Sequence, residues 1–175
     1  MNLPNKLTLL RVLMIPVFII VLLMGYSYSA AAIFVVAAGT DALDGYIARK
    51  YNLVTNFGKI MDPLADKLLV TAALVCFVQL GEVAGWMVFV ILAREFTITA
   101  LRSVAASEGI VIAAGNSGKI KTILQMIAIT AILLKNFPFQ YWNIPFADIA
   151  LWAALITTVY SGVEYIIKNK QLFVA

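Results

Sequence analysis

This chain contains no histidine and one cysteine, Cys76, and only 13% of its 175 residues are charged. Each shortage removes chemistry. Without histidine there is no Ser-His-Asp triad and no imidazole ligand for zinc; with one cysteine there is no internal disulfide and no thiolate cluster. Cys76, between Val75 and Phe77, reads as a packing residue. Any catalysis is therefore left to carboxylates, lysine, arginine, hydroxyls, or a metal ion held by oxygen ligands. The scarcity of charge also argues against a soluble domain, which is about a quarter charged.

What the chain has in excess is apolar: 63% of residues are hydrophobic and the mean hydropathy is +0.96. A bilayer core asks for roughly 20 mostly apolar residues per helix. Such segments recur at about 7–25, 30–51, 57–80, 84–107, 117–135 and 146–167. No soluble module interrupts them. The expected fold is all-α and integral to the membrane: six transmembrane helices in one domain, residues 1–175, with a short interfacial segment before the first. That first span carries Lys6 and Arg11 and lacks a convincing small-residue cleavage site, so it reads as a retained helix rather than a signal peptide. The connection before the sixth helix holds Phe137, Phe139, Tyr141, Trp142 and Phe146, suited to an aromatic interfacial belt.

The 13 basic and nine acidic residues leave a formal charge of +4. Lys6, Arg11, Arg49, Lys50, Lys59, Arg102, Lys119, Lys121, Lys168 and Lys170 fall on one side of the six-span layout, and only Lys135 falls in the opposite loops. The positive-inside rule then puts both termini and the 2–3 and 4–5 connections in the cytoplasm. These charges read as topology signals and contacts to anionic lipid, not as a nucleic-acid surface.

Four of the five aspartates lie within 26 residues: Asp41, Asp44, Asp62 and Asp66. Positions three and four apart share a helix face. Asp41 and Asp44 thus point one way from the end of helix 2, and Asp62 and Asp66 from the start of helix 3. A short connection makes the helices antiparallel neighbours, so the four carboxylates can converge near a membrane boundary. Ionised groups there cost a few kcal/mol each, and like charges raise one another's pKa. Protonation would relieve this, as in a proton relay of a small cation transporter; so would divalent cations. Hard oxygen ligands at this density suit Mg²⁺ or Mn²⁺ with a phosphate substrate completing the shell. Gly45 and Gly58, each one turn from an aspartate, would let a ligand approach or let helices pack closely.

The spacing D-x2-D-G-x2-A-R-x8-G-x3-D-x3-D, carried by Asp41, Asp44, Gly45, Ala48, Arg49, Gly58, Asp62 and Asp66, resembles the signature of the CDP-alcohol phosphotransferase family of membrane enzymes. The resemblance implies transfer of a substituted phosphoryl group from a CDP-linked donor to an alcohol, with release of CMP. It implies a metal-binding role, for two ions, at Asp41, Asp44, Asp62 and Asp66, with Asp66 as general base. It also implies that Gly45, Ala48 and Gly58 lie by the nucleotide. Arg49 could face the donor or anchor a helix end.

The acceptor is read elsewhere. Arg94 stands mid-span beside Glu95, Arg102 lies two turns further on the same face, and Lys119 and Lys121 open helix 5. Together they could form a basic cup for a phosphorylated acceptor through charge-assisted bonds; Lys119 and Lys121 read equally as interfacial anchors. The stretches 2–11, 40–49, 62–67, 93–95 and 118–122 are similar to the branch of the family that joins CDP-diacylglycerol to sn-glycerol 3-phosphate. In that setting Asn5, Thr8 and Arg11 could help hold the donor, or simply mark a helix start. Inositol phosphate, serine and phosphatidylglycerol are the rival acceptors, a non-catalytic scaffold is a weaker option, and a homodimer is what the small members of the family imply.

Overall fold

The protein is seen in a computed structural model that describes residues 3–50, 56–107, 109 and 115–170; the side chains of residues 3–6, 41–50 and 56–60 lie outside that description. Among the described residues all regular structure is helical: α1 (Leu3–Leu23), α2 (Ser27–Lys50), α3 (Asn56–Gln79), α4 (Gly85–Ser107), α5 (Asn116–Leu133) and α6 (Phe146–Lys168), with a 3₁₀ turn over Phe139–Trp142. Six helices stand where six were expected. Two details differ. α1 is unbroken from Leu3, so the expected N-terminal interfacial segment is not a separate element; Pro4 occupies its first turn, where a missing N–H costs nothing. The last connection is partly ordered as the 3₁₀ turn. By length and hydropathy α6 alone, among the described helices, is sufficient to cross a membrane, while Leu7–Leu23 and Ser27–Thr40 are shorter apolar stretches.

The helices fall into two compact groups, residues 1–82 with 132–135 and residues 83–131 with 136–175. In the first, α1 packs on both α2 and α3. Its buried residues are Thr8, Arg11, Ile15, Phe18 and Leu22, alternating steps of three and four, the spacing of a helix seam. Leu13 and Ile20, on other faces, are about 60% exposed. A helix apolar all round belongs in lipid or in a large core. Against the seam α2 sets Ala30, Ala31, Phe34 and Ala37, and α3 sets Ala65, Leu69, Ala73 and Phe77. The alanines let the backbones approach; Phe18 and Phe34 fill the remaining space, with ring centroids 5.9 Å apart. α1 ends at Gly25 (φ +87°), whose N–H bonds to Leu22 O while that of Tyr26 bonds to Val21 O; this left-handed cap turns the chain back into α2.

In the second group α4 packs on α6. α6 buries Leu151, Ala154, Thr158, Ser161 and Tyr165, again in steps of three and four. α4 answers with Met87, Ile91, Ile98 and Ala105. Asp148, the one aspartate outside the motif, occupies the first turn of α6, where the helix dipole favours a negative charge. Asn136 organises the connection into α6. Its Nδ2 donates to Ile144 O at 2.6 Å, and its Oδ1 accepts from the N–H of Ala147 at 3.0 Å, one of the donors that a helix start leaves without an intrahelical partner. Asn136 also sits at φ +61°, which asparagine tolerates better than alanine. Asn136→Ala is therefore expected to lower stability by about 1–2 kcal/mol, read as a lower thermal midpoint in detergent, with Asn136→Gly recovering only the backbone part of the loss.

Candidate active site

α1 meets the motif-bearing helices through its polar end. Thr8, fully buried, donates its hydroxyl to Asp62 Oδ1 on α3 at 2.6 Å. One turn on, Arg11, 1% exposed, donates Nε to Ala37 O on α2 at 3.2 Å, and the Thr40 hydroxyl shares that carbonyl at 2.7 Å. The start of α1 thus touches the middle of α2, four residues before Asp41, and the first half of α3, at Asp62 itself. Asp62 and Asp66 are half-buried, one turn apart on α3, with wholly buried Ala65 between them. On α2 the backbone stays helical through Asp41 and Asp44 to Lys50.

The side chains of Asp41, Asp44, Gly45, Ala48, Arg49, Gly58 and Asn5 lie outside the described residues. Among the described residues no three potential metal ligands gather; Asp62 and Asp66 are the two motif carboxylates on view. Their chemistry fits a hard divalent cation: both are oxygen donors on one helix face, half withdrawn from solvent. Thr8 was expected near the donor; its hydroxyl is instead spent on Asp62.

The second group holds a basic cavity of about 210 Å³, lined by Arg94 and Arg102 of α4, Ser117 and Gly118 of α5, and Ser161, Glu164, Tyr165 and Lys168 of α6, with Gly115 and Asn169 at its edge. Drug-sized ligands occupy pockets of roughly 300–1,000 Å³, so this one suits a compact molecule. Arg94 is fixed from three sides. Nη1 donates to Glu95 Oε1 at 3.0 Å and Nη2 to Ser161 Oγ at 3.0 Å. Its stem lies so close to α6 that a Cβ on Gly162 would stand 3.0 Å from Arg94 Cγ. Its Nε is buried with no hydrogen-bond partner among the described residues. The Arg102 guanidinium lies 5.4 Å from the centroid of the Tyr165 ring, a cation–π contact that orients it. Three cations and one carboxylate, Glu164, face the cavity, so its field favours an anion.

Of the expected basic cup, Arg94 and Arg102 border the cavity and the lysines do not. Lys121 is buried and donates to Glu95 Oε1 at 2.5 Å, tying α5 to α4, while Lys119 is exposed. Lys168, Ser161 and Tyr165 also line the cavity, although their sequence context does not announce it. Lys168 looked like a topology signal, and only its place one turn after Glu164, to which it donates, puts it at the rim. The local signal in α6 is the small pair Ser161-Gly162 between Tyr160 and Val163.

A family model described as CDP-alcohol phosphatidyltransferase matches residues 1–160. Among curated proteins the chain is 51% identical to the CDP-diacylglycerol–glycerol-3-phosphate 3-phosphatidyltransferase of Bacillus subtilis, over 96% of this chain and 95% of the relative. It is 40% identical to the protein of the same name in Rickettsia felis, over 98% and 97%, and 41% identical to that of Pseudomonas fluorescens, over 81% and 77%.

Lys121 and Glu95 form a largely buried pair, the lysine side chain 5% and the glutamate 20% exposed. Removing one partner of such a pair costs about 3–5 kcal/mol, while replacing both with apolar groups costs far less. Glu95→Gln is thus expected to lower the thermal midpoint sharply, and Glu95→Gln with Lys121→Met to recover the part due to Lys121, the part due to Arg94 remaining lost. Equal losses in the two variants would return Lys121 to the list of ligand-binding candidates.

Proposed function

Because the chain belongs to the CDP-alcohol phosphatidyltransferase family, we infer that it is an enzyme transferring the phosphatidyl group of CDP-diacylglycerol to sn-glycerol 3-phosphate, giving phosphatidylglycerophosphate and CMP. The relatives' names supply the two substrates. The observation that carries the acceptor on this chain's own residues is the compact basic cavity that Arg94 and Arg102 line, suited to a small phosphomonoester. A neutral acceptor such as serine would have no use for it.

In this reading Asp41, Asp44, Asp62 and Asp66 would hold one or two divalent cations, Mg²⁺ or Mn²⁺. When bound, such ions neutralise the donor's diphosphate and stabilise the departing CMP. Arg94 and Arg102 hold the acceptor phosphate through charge-assisted hydrogen bonds. Asp66 takes the proton of the acceptor's 1-hydroxyl as that oxygen bonds to the phosphatidyl phosphorus and the bond from phosphorus to CMP breaks. In the same reading Gly45, Ala48 and Gly58 would leave room beside the nucleotide, and Arg49 and Asn5 are candidate contacts to it.

The same reading makes all six helices spans of the cell membrane and residues 1–175 one domain, as a family match running across both helical groups supports. The active site and both termini then face the cytoplasm, and the enzyme works as a homodimer. The aromatic residues between α5 and α6, with Tyr141 and Trp142 about 70% exposed, suit the opposite interface.

Asp66→Asn is expected to reduce CMP release by at least about 100-fold with the protein still monodisperse and its thermal midpoint kept; surviving turnover would assign the proton to another group. Arg102→Gln is expected to raise the KM for glycerol 3-phosphate about tenfold with a smaller change in kcat. Stimulation of CMP release by serine or inositol phosphate, and not by glycerol 3-phosphate, would overturn the acceptor.

A further inference from the structure

We propose that Thr8 is a positioning residue for the cation site: its hydroxyl holds Asp62 by Oδ1 so that Oδ2 is presented to a divalent cation. The proposal rests on the reading of Asp62 as a metal ligand and says what keeps that ligand in place. Thr8 and Asp62 are 54 residues apart and meet across the α1–α3 seam at 2.6 Å. Thr8 is 0% exposed, so its hydroxyl is enclosed at that contact and turned toward the carboxylate, not toward open space where a nucleotide or lipid headgroup could reach it.

The contact has the parts that positioning needs. A carboxylate has two oxygens, and one donated hydrogen bond engages one of them and restrains rotation about the Cβ–Cγ bond. Threonine is branched at Cβ, which limits χ1 in a helix to about two wells, so the donor is itself held before Asp62 meets it. α1 is pinned on the other side as well: Arg11, three residues on along the same seam, donates to Ala37 O on α2, four residues before Asp41. Thr8 and Arg11 therefore tie α1 to both aspartate-bearing helices, and Thr8 does so through an aspartate itself. Hydrogen-bond partners of metal-ligating side chains typically change metal affinity by about 10–100-fold when removed.

The test uses the full chain purified in detergent, without substrates, and Mn²⁺ as probe, its affinity read by electron paramagnetic resonance and by the Mn²⁺-dependent rise in thermal midpoint. Thr8→Val, close in shape but without the hydroxyl, is expected to weaken Mn²⁺ binding about tenfold or more, and Thr8→Ser to stay within about threefold of the parent. At saturating Mn²⁺ the KM for CDP-diacylglycerol should be unchanged in both. Should Thr8→Val not fold, Thr8→Ala carries the same measurement. Parent-like Mn²⁺ affinity in the hydroxyl-free variant overturns the proposal. If only its metal-free midpoint falls, Thr8 is a packing residue; if only the donor KM rises, it is a donor contact. Asp62→Asn separates the two layers: unchanged Mn²⁺ binding there would sink the cation-site reading itself, and this proposal with it.

Discussion

A polar side chain in an apolar helix seam must find a partner on the helix across from it, and the candidate site is built from that requirement. The seam of α1 is apolar over Ile15, Phe18 and Leu22 and polar over Thr8 and Arg11. In the proposed membrane setting, apolar faces gain little from leaving lipid, so packing and hydrogen bonds decide which helices adhere. The apolar part therefore works by shape, alanines against phenylalanines. The polar part works by pairing, Thr8 with Asp62 and Arg11 with the backbone of α2. An aspartate thereby becomes part of the helix contact, and the geometry of a proposed metal ligand is set by the packing of three helices.

The second helical group solves the same problem with more charge. Arg94 lies in the α4–α6 seam, where Ser161 offers a hydroxyl and Gly162 leaves room for the arginine stem. Glu95 compensates both Arg94 and Lys121, so one carboxylate organises two cations. The consequence is a division of labour among like residues. Lys121 is used up in holding α5 to α4. Arg94 keeps a buried Nε unpartnered among the described residues and faces a cavity with Arg102. Equivalent positive charges in the sequence thus serve unlike ends: both meet Glu95, and what separates them is that Arg94 also borders the cavity while Lys121 does not.

Much of this was legible beforehand. The lengths of the apolar runs and their turn residues placed six helices to within a few residues, since a helix boundary depends mostly on local sequence. The placement of the aspartate motif on two consecutive helices was equally plain, because three- and four-residue spacing is a local signal, and α2 and α3 carry it. The eight-residue interval from Arg94 to Arg102 correctly put both on one face, and both line one cavity. The readings that shifted were those for side chains whose role depends on a distant neighbour. Thr8 and Lys121 were candidate ligand contacts until Asp62 and Glu95 were seen beside them, and Lys168 was a topology charge until the last turn of α6 was seen to border the cavity.

What the sequence determined by itself is the kind of chemistry this protein can do and where along the chain it is written. Without histidine or a cysteine cluster, with four aspartates in one motif, the candidate site is a carboxylate one, and periodicity alone assigns those residues to helix faces. What only the tertiary structure decided is which polar groups satisfy one another. Helical spacing is local, repeating every 3.6 residues, whereas the partners Thr8 with Asp62, Arg94 with Ser161 and Lys121 with Glu95 are 54, 67 and 26 residues apart. Their meeting depends on how whole helices cross, and no single helix carries that information.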